Sequence, residues 1–217
     1  NSPNKTRLTP EQQRLVWYYY TNFVRAGAKL DTKSKARLSE INQQLAGLFT
    51  KFAQNVLAEE DGQFVALKSE ADLAGLPQSV RDADAAAAVT KKQTGWVITN
   101  TRSSVDPFLS ASSRRDLREK VWKAFKSRGD NGGANDTHAT IAKIVKLRAE
   151  RAALLGYASH AHWRMDDTMA KDPQKARELM MKVWPAAVAR VHEEVADMQA
   201  IAKSEGENIV IEPWDYL

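Results

Sequence analysis

Apolar residues recur at three- and four-residue intervals over most of this chain, the spacing that gathers side chains on one face of a helix. The most regular stripe, Leu38, Ile41, Leu45, Leu48, Phe49, Phe52 and Val56, predicts a helix that Asp31 caps and Asp61-Gly62 ends. Ahead of it, Thr9-Pro10-Glu11-Gln12 spells a helix start, with Thr9 as N-cap, Pro10 in the first position and Gln12 closing a capping box. That helix runs through Leu15, Tyr18, Tyr19 and Phe23 towards Gly27, and its aromatic run Trp17, Tyr18, Tyr19, Tyr20 is expected mostly in the core. Residues 9–60 thus read as a long helical hairpin behind a disordered lead, 1–8.

The period changes after residue 60. Runs 63–68 and 95–100 are short, β-branched or aromatic and bounded by glycine, which predicts two strands of a small ribbon. Between them, Glu70 to Thr90 is short helical material broken at Gly75 and Pro77, and 101–112 reads as a loop with one turn of helix, so 61–112 is a segment of short elements.

Helical spacing returns over 113–206. Ser113, with Asp116 three residues on, predicts an N-cap for a helix whose inward face is Leu117, Val121, Trp122 and Phe125. The run Arg128–Gly133 breaks it as a flexible turn, and a second helix from about Asp136 turns Ile141, Ile144, Val145, Leu147, Ala152 and Leu155 inward before Gly156. Ser159 starts a short helix to about Met169. Asp172-Pro173 opens the longest helix, through Leu179, Val183, Trp184, Val188, Val191, Val195 and Met198 to Gly206, with a kink expected at Pro185. In 207–217, Pro213 looks like the opener of another element that the chain does not continue, so this stretch reads as the truncated start of a next element. The fold class predicted is mainly α: a multi-helix body with long antiparallel helices and a two-stranded β element at about 63–68 and 95–100.

Composition narrows the chemistry. Alanine is the commonest residue, in keeping with helices, and the chain has no cysteine, which excludes disulfides, thiolate metal sites, iron–sulfur clusters and thiol nucleophiles. No apolar run approaches the ~18 residues of a membrane span, so no membrane partner is expected. The formal charge of +5 arises from 32 basic against 27 acidic residues. Signs alternate through Arg114–Lys120, as on a solvated helix face with internal ion pairs, and no nucleic-acid partner is expected. The chain begins at Asn1 rather than Met, which leaves a lost leader open; the cytoplasm is the expected compartment, with the periplasm not excluded.

The four histidines are the natural test of catalytic chemistry. His160 and His162 would share a face only on a strand; on the predicted helix they stand about 200° apart and cannot ligate one ion. His138 sits near a helix start as a surface residue. His192-Glu193 begins like the zinc-peptidase pattern His-Glu-x-x-His, which sets two imidazoles one helical turn apart, but position 196 is Ala. The adjacent acids Asp166-Asp167 and Glu193-Glu194 point in different directions on a helix and are not a proton-sharing pair. No serine lies in a Gly-x-Ser-x-Gly elbow, and Gly129–Gly133 lacks the Lys-Ser/Thr ending of a phosphate loop. No catalytic, cofactor-binding or metal-binding residue is therefore assigned.

Six stretches, Tyr19–Ala28, Glu40–Ala46, Gly95–Thr99, Ser113–Lys120, Leu147–Tyr157 and the Glu-Pro-Trp-Asp-Tyr of Glu212–Tyr216, carry a resemblance in register. In that order they resemble the N-terminal to middle portion of bacterial peptidyl-dipeptidases (dipeptidyl carboxypeptidases), which group with oligopeptidase A and thimet oligopeptidase among the zinc metallopeptidases. The resemblance covers nearly the whole chain from about residue 7. It implies a two-lobed helical hydrolase with a deep channel for short peptides, a zinc held by His-Glu-x-x-His and a later Glu, and release of C-terminal dipeptides. In the family that motif lies downstream of Glu-Pro-Trp-Asp-Tyr, so the resemblance implies a fragment that supplies channel wall, lacks the catalytic centre, holds no zinc itself and is inactive alone. Its partners would be the missing catalytic region and, in the parent, an oligopeptide. The alternative is a stand-alone helical module that binds peptide or protein, with a dimer formed through exposed apolar surface.

Overall fold

The computed structural model describes residues 8–216. Its elements are α1 (Pro10–Arg25), α2 (Thr32–Gly62), β1 (Phe64–Leu67), a 3-10 turn (Glu70–Leu73), α3 (Gln78–Thr90), β2 (Trp96–Thr99), α4 (Arg102–Ala111), α5 (Arg115–Lys126), α6 (His138–Leu154), α7 (His160–Met165), α8 (Pro173–Ser204) and a second 3-10 turn (Pro213–Asp215). The mainly α class with one small antiparallel ribbon is as the periodicity indicates. Most of the expected lead, 1–7, lies outside the described residues.

Caps set several boundaries as their residue types dictate. Thr9 Oγ1 accepts from the Gln12 amide while Gln12 Oε1 accepts from the Thr9 amide, the reciprocal capping box. Asp31 accepts from the Ser34 amide at 2.8 Å ahead of α2, Ser159 from the His162 amide at 3.3 Å, and Asp172 from the Gln174 amide at 2.6 Å.

The chain divides into two compact units, 1–50 with 141–180 and 51–140 with 181–217. In the first, α2 and α6 share a core of Ile41, Leu45, Ile144 and Leu147, with Leu48 and Leu154 packed against it. Arg37 clamps Glu150 through two bonds of 2.6 and 2.8 Å beside that core. In the second, Asn55 near the end of α2 donates to the carbonyl of Asp136, just ahead of α6. In the first unit the start of α2 thus meets the end of α6, and in the second its end meets the residues just ahead of α6.

The second unit has the larger core. β1 and β2 pair antiparallel from Phe64–Thr99 to Leu67–Trp96. Their inward residues Val65, Leu67 and Ile98 join Leu73, Leu76, Val105, Phe108, Leu109 and Val121 in one buried cluster. Gly75 takes a positive φ of 84° in the turn before α3, and an added Cβ there would collide with the Ala111 carbonyl oxygen and lie 2.8 Å from the Ser113 nitrogen.

Four expectations give way to the structure. Residues 102–111 form the full helix α4 rather than a loop: Val105, Phe108 and Leu109 recur at helical spacing and are buried, and Pro107 is accommodated inside. Ser113 does not cap α5; the helix follows Arg114, whose amide is held by Ser112 Oγ, while Asp116 pairs with the Arg114 guanidinium. The turn after α5 is pinned, because the buried Glu59 carboxylate accepts from the Gly129 amide at 2.5 Å and from Asn131 at 2.8 Å. Finally, several apolar stripes are not core. Trp17, Tyr18, Tyr19, Tyr20 and Phe23 of α1, Ile141 and Val145 of α6, and Leu179, Val183, Trp184 and Val191 of α8 are all exposed. Helical spacing sorts these residues onto faces, but a face becomes core only where another element covers it.

Candidate functional site

The structure gives each of the four histidines separate company. His192 is exposed on α8, and beside it Arg190 pairs with Glu193 at 3.2 Å and Glu194 at 3.0 Å. Glu194 also accepts from the Tyr216 hydroxyl, which with Arg190 holds its carboxyl below the usual range. His162 Nδ1 is bonded to Ser159 Oγ at 2.8 Å, whereas His160 stacks at 5.5 Å on Trp163. Burial first, and then Arg148, Arg151 and Arg164, push the His160 imidazole down from its ordinary value. These two rings do not converge.

His138 is an exposed residue at a helix start, as expected, and it has acidic company there. At the start of α6 its Nδ1 lies 3.0 Å from Asp136 and its Nε2 lies 3.2 Å from Asp130. The Asp136 hydrogen bond raises the imidazole above its usual value, and His138 in turn lowers Asp136. Asp130, Asp136 and His138 are the one group among the described residues whose ligand atoms are close enough to gather a metal. Each ring nitrogen already faces its own carboxylate, so the arrangement is that of an imidazolium held between two acids at a loop–helix junction.

The adjacent acids Asp166 and Asp167 serve a buried cation. Arg25, 8% exposed at the end of α1, pairs with Asp167 at 2.5 Å and donates to the Trp163 carbonyl at 2.6 Å. Trp163 Nε1 returns a bond to the Arg25 carbonyl at 3.3 Å, and the Tyr157 hydroxyl donates to Asp166 at 3.0 Å. The cluster fastens α7 to the end of α1. It is a structural lock, since each acid has a satisfied partner.

The Glu212–Tyr216 stretch is seated on α5. Asp215, with only 4% of its side chain exposed, accepts from Arg115 at 2.9 Å and from Arg118 at 2.7 Å, and it also holds the Glu212 amide at 3.1 Å. Arg118 donates to the Trp214 carbonyl, and the Trp214 and Trp122 rings meet edge to face at 5.8 Å. Sequence reasoning noticed this stretch as a helix opener and missed its anchor, because Arg115 and Arg118 sit in a run of alternating charge that reads as solvated surface.

Among the described residues the pattern is of helices locked by ion pairs and presenting uncovered apolar faces, without a converging set of nucleophile, base and electrophile. The donors also do not suit a peptidase zinc of the His-Glu-x-x-His kind. His192 has Ala196 where the second imidazole would stand, and the Asp130–Asp136–His138 group offers a single imidazole.

Residues 108–217 match peptidase family M3. Over 210 residues the chain is 35% identical to the dipeptidyl carboxypeptidase of Escherichia coli strain K12, covering 96% of this chain and 31% of that protein. It is 34% identical to the organellar oligopeptidase A of Arabidopsis thaliana, over 99% of this chain and 28% of the relative. Oligopeptidase A of Salmonella typhimurium is 30% identical over 96% of this chain and 31% of its own length. The chain therefore spans about a third of the length of the curated relatives it matches. With the family match extending over half the chain, this protein belongs to peptidase family M3.

Proposed function

We propose that this chain is part of a zinc-dependent peptidyl-dipeptidase, which removes dipeptides from the C-terminus of short peptides, and that it supplies helical channel wall while the catalytic centre lies elsewhere in the parent. One observation carries the reading: identity of 35% runs along 96% of this chain yet accounts for only 31% of the E. coli dipeptidyl carboxypeptidase. No chemical step is assigned to these residues. What they contribute is surface and rigidity. The unburied faces of α1 and α8 suit burial against further polypeptide, as large exposed apolar patches do. The parent would act in the cytoplasm on oligopeptides, with zinc as its cofactor.

The gene itself tests this. A reading frame that continues past Leu217 into His-Glu-x-x-His supports the reading, and a stop codon directly after Leu217 overturns it in favour of a stand-alone peptide- or protein-binding module. Incubated alone with an N-blocked tetrapeptide, the 217-residue chain is expected to release no dipeptide. Release that co-purifies with the chain through chromatography would refute the assignment of the catalytic centre to another part of the parent.

A further inference from the structure

One acid in the second unit has no role in any lock described above. Asp84, on α3, is 3% exposed, and its Oδ2 is shut off from solvent without a hydrogen-bond partner. Burial alone pushes its carboxyl up, to about 7, with no charged neighbour contributing in either direction. It lies in the wall of a cleft of about 440 Å³ between α3, β2 and the start of α4, whose other lining includes Ser79, Thr99, Ser103 and Ser104. That volume falls within the range of small-molecule sites.

The hydroxyls are held in a defined order. Thr99 Oγ1 lies 2.9 Å from Thr101 Oγ1, which lies 3.2 Å from Ser103 Oγ. Ser104 Oγ accepts from the Thr99 amide at 3.1 Å, fixing the end of β2 against α4. The cleft thus presents a single acid, negative once ionised, among neutral oxygens that accept as well as donate. An anion would meet that carboxylate, and a hard divalent ion seeks several carboxylates, which the lining lacks. A single positive charge carrying several N–H donors matches both features. With Oδ2 shielded, a planar guanidinium cannot grip both oxygens, which favours the compact ammonium.

We propose that this cleft binds a primary ammonium group, with Asp84 as its counterion and the hydroxyls of Ser79, Thr99, Ser103 and Ser104 as further acceptors. This site is independent of the channel-wall reading, since it rests on residues 79–107 of one unit.

Amide NMR of the labelled 217-residue chain, titrated with methylammonium chloride at constant ionic strength, tests it. Saturable shifts are expected at Ser79, Asp84, Thr99 and Ser103, and affinity at least tenfold weaker for tetramethylammonium, which has the charge but no N–H. Asp84→Asn, nearly isosteric, is expected to lose at least tenfold in affinity while keeping a dispersed spectrum. A second readout needs no variant: bound methylammonium should lower the apparent pKa that the Asp84 side-chain carboxyl shows by carbon NMR. Two further probes separate the sources of the ammonium. Nα-acetyl-lysine amide offers a side-chain amine and glycinamide a chain-terminal one; binding of either supports the site and says which. Shifts that do not saturate, that tetramethylammonium reproduces, or that leave the Asp84 carboxyl titration unmoved would overturn the proposal.

Discussion

Arg118 and Asp215, 97 residues apart in sequence, meet at 2.7 Å and fasten the Glu-Pro-Trp-Asp-Tyr stretch to α5. The carboxylate is buried and the arginine mostly so, and Arg115 closes the same carboxylate from the other side at 2.9 Å. Charge-assisted bonds of this kind are strong because little water competes for them. Removing one partner strands a charge in a place that cannot solvate it.

Asp215→Ala is therefore expected to cost about 3 kcal/mol, the scale for breaking a buried ion pair from one side. Urea unfolding measures the loss. Fluorescence of Trp214, which loses its edge-to-face partner Trp122 when the stretch detaches, should change before global unfolding.

The same pair sets an acid limit. Burial raises the Asp215 carboxyl, but the Arg115 and Arg118 hydrogen bonds outweigh it and leave the group below its ordinary value near 3.8. A depressed folded pKa contributes stability that is present above the ordinary value and lost as pH falls through the folded one. Stability followed from pH 6 to pH 2 should drop more steeply in the wild type than in Asp215→Asn. Parallel curves would contradict the assignment.

Asp84 behaves in the opposite sense. Its folded pKa, near 7, exceeds the ordinary 3.8, so the native state loses stability as pH rises from about 4 through 7. Asp84→Asn removes that loss, with an expected gain of about 1–3 kcal/mol at pH 8 and little change at pH 4. Thermal unfolding at the two pH values without added amine measures it.

His138 gives a smaller signature near neutrality. Its imidazole is raised above 6.5, first by the hydrogen bond with Asp136. The stabilisation is fully present below about pH 6.5 and fades as pH rises through the folded value. The difference in melting temperature between wild type and His138→Gln should shrink between pH 6 and pH 9, and a constant difference would argue against the ion triad.

In the core, Phe108 is wholly buried on α4, in the segment that the sequence suggested was a loop. Phe108→Ala should cost about 3–5 kcal/mol, the range for emptying a packed aromatic site. Gly75→Ala should cost on the order of 1–3 kcal/mol for a quite different reason: a positive φ and a Cβ set against the Ala111 carbonyl. Both follow from equilibrium denaturation.

Much of the helical layout was legible because its signals are local. Thr9, Asp31, Ser159 and Asp172 cap helices through groups two to three residues away, and the β1–β2 ribbon shows in its own composition. α4 was obscured by Pro107, although Val105, Phe108 and Leu109 carried its period. The absence of cysteine and the missing imidazole at Ala196 narrowed the chemistry without any coordinates.

Tertiary structure decided what depends on distant partners. Periodicity gives the aromatic face of α1 and the stripe of α8 the same appearance as the α2 stripe, yet Ile41 and Leu45 are buried while Tyr18, Tyr19 and Trp184 are exposed. Burial is set by whether another element arrives to cover a face, and no local pattern encodes that. Asp166-Asp167 and Arg115–Arg118 read as solvated charge until folding brings Arg25 and Asp215 to them. Asp84, between alanines in α3, reads as an ordinary helix acid. Only the packing of α3, β2 and α4 takes it out of water and leaves it without a counterion.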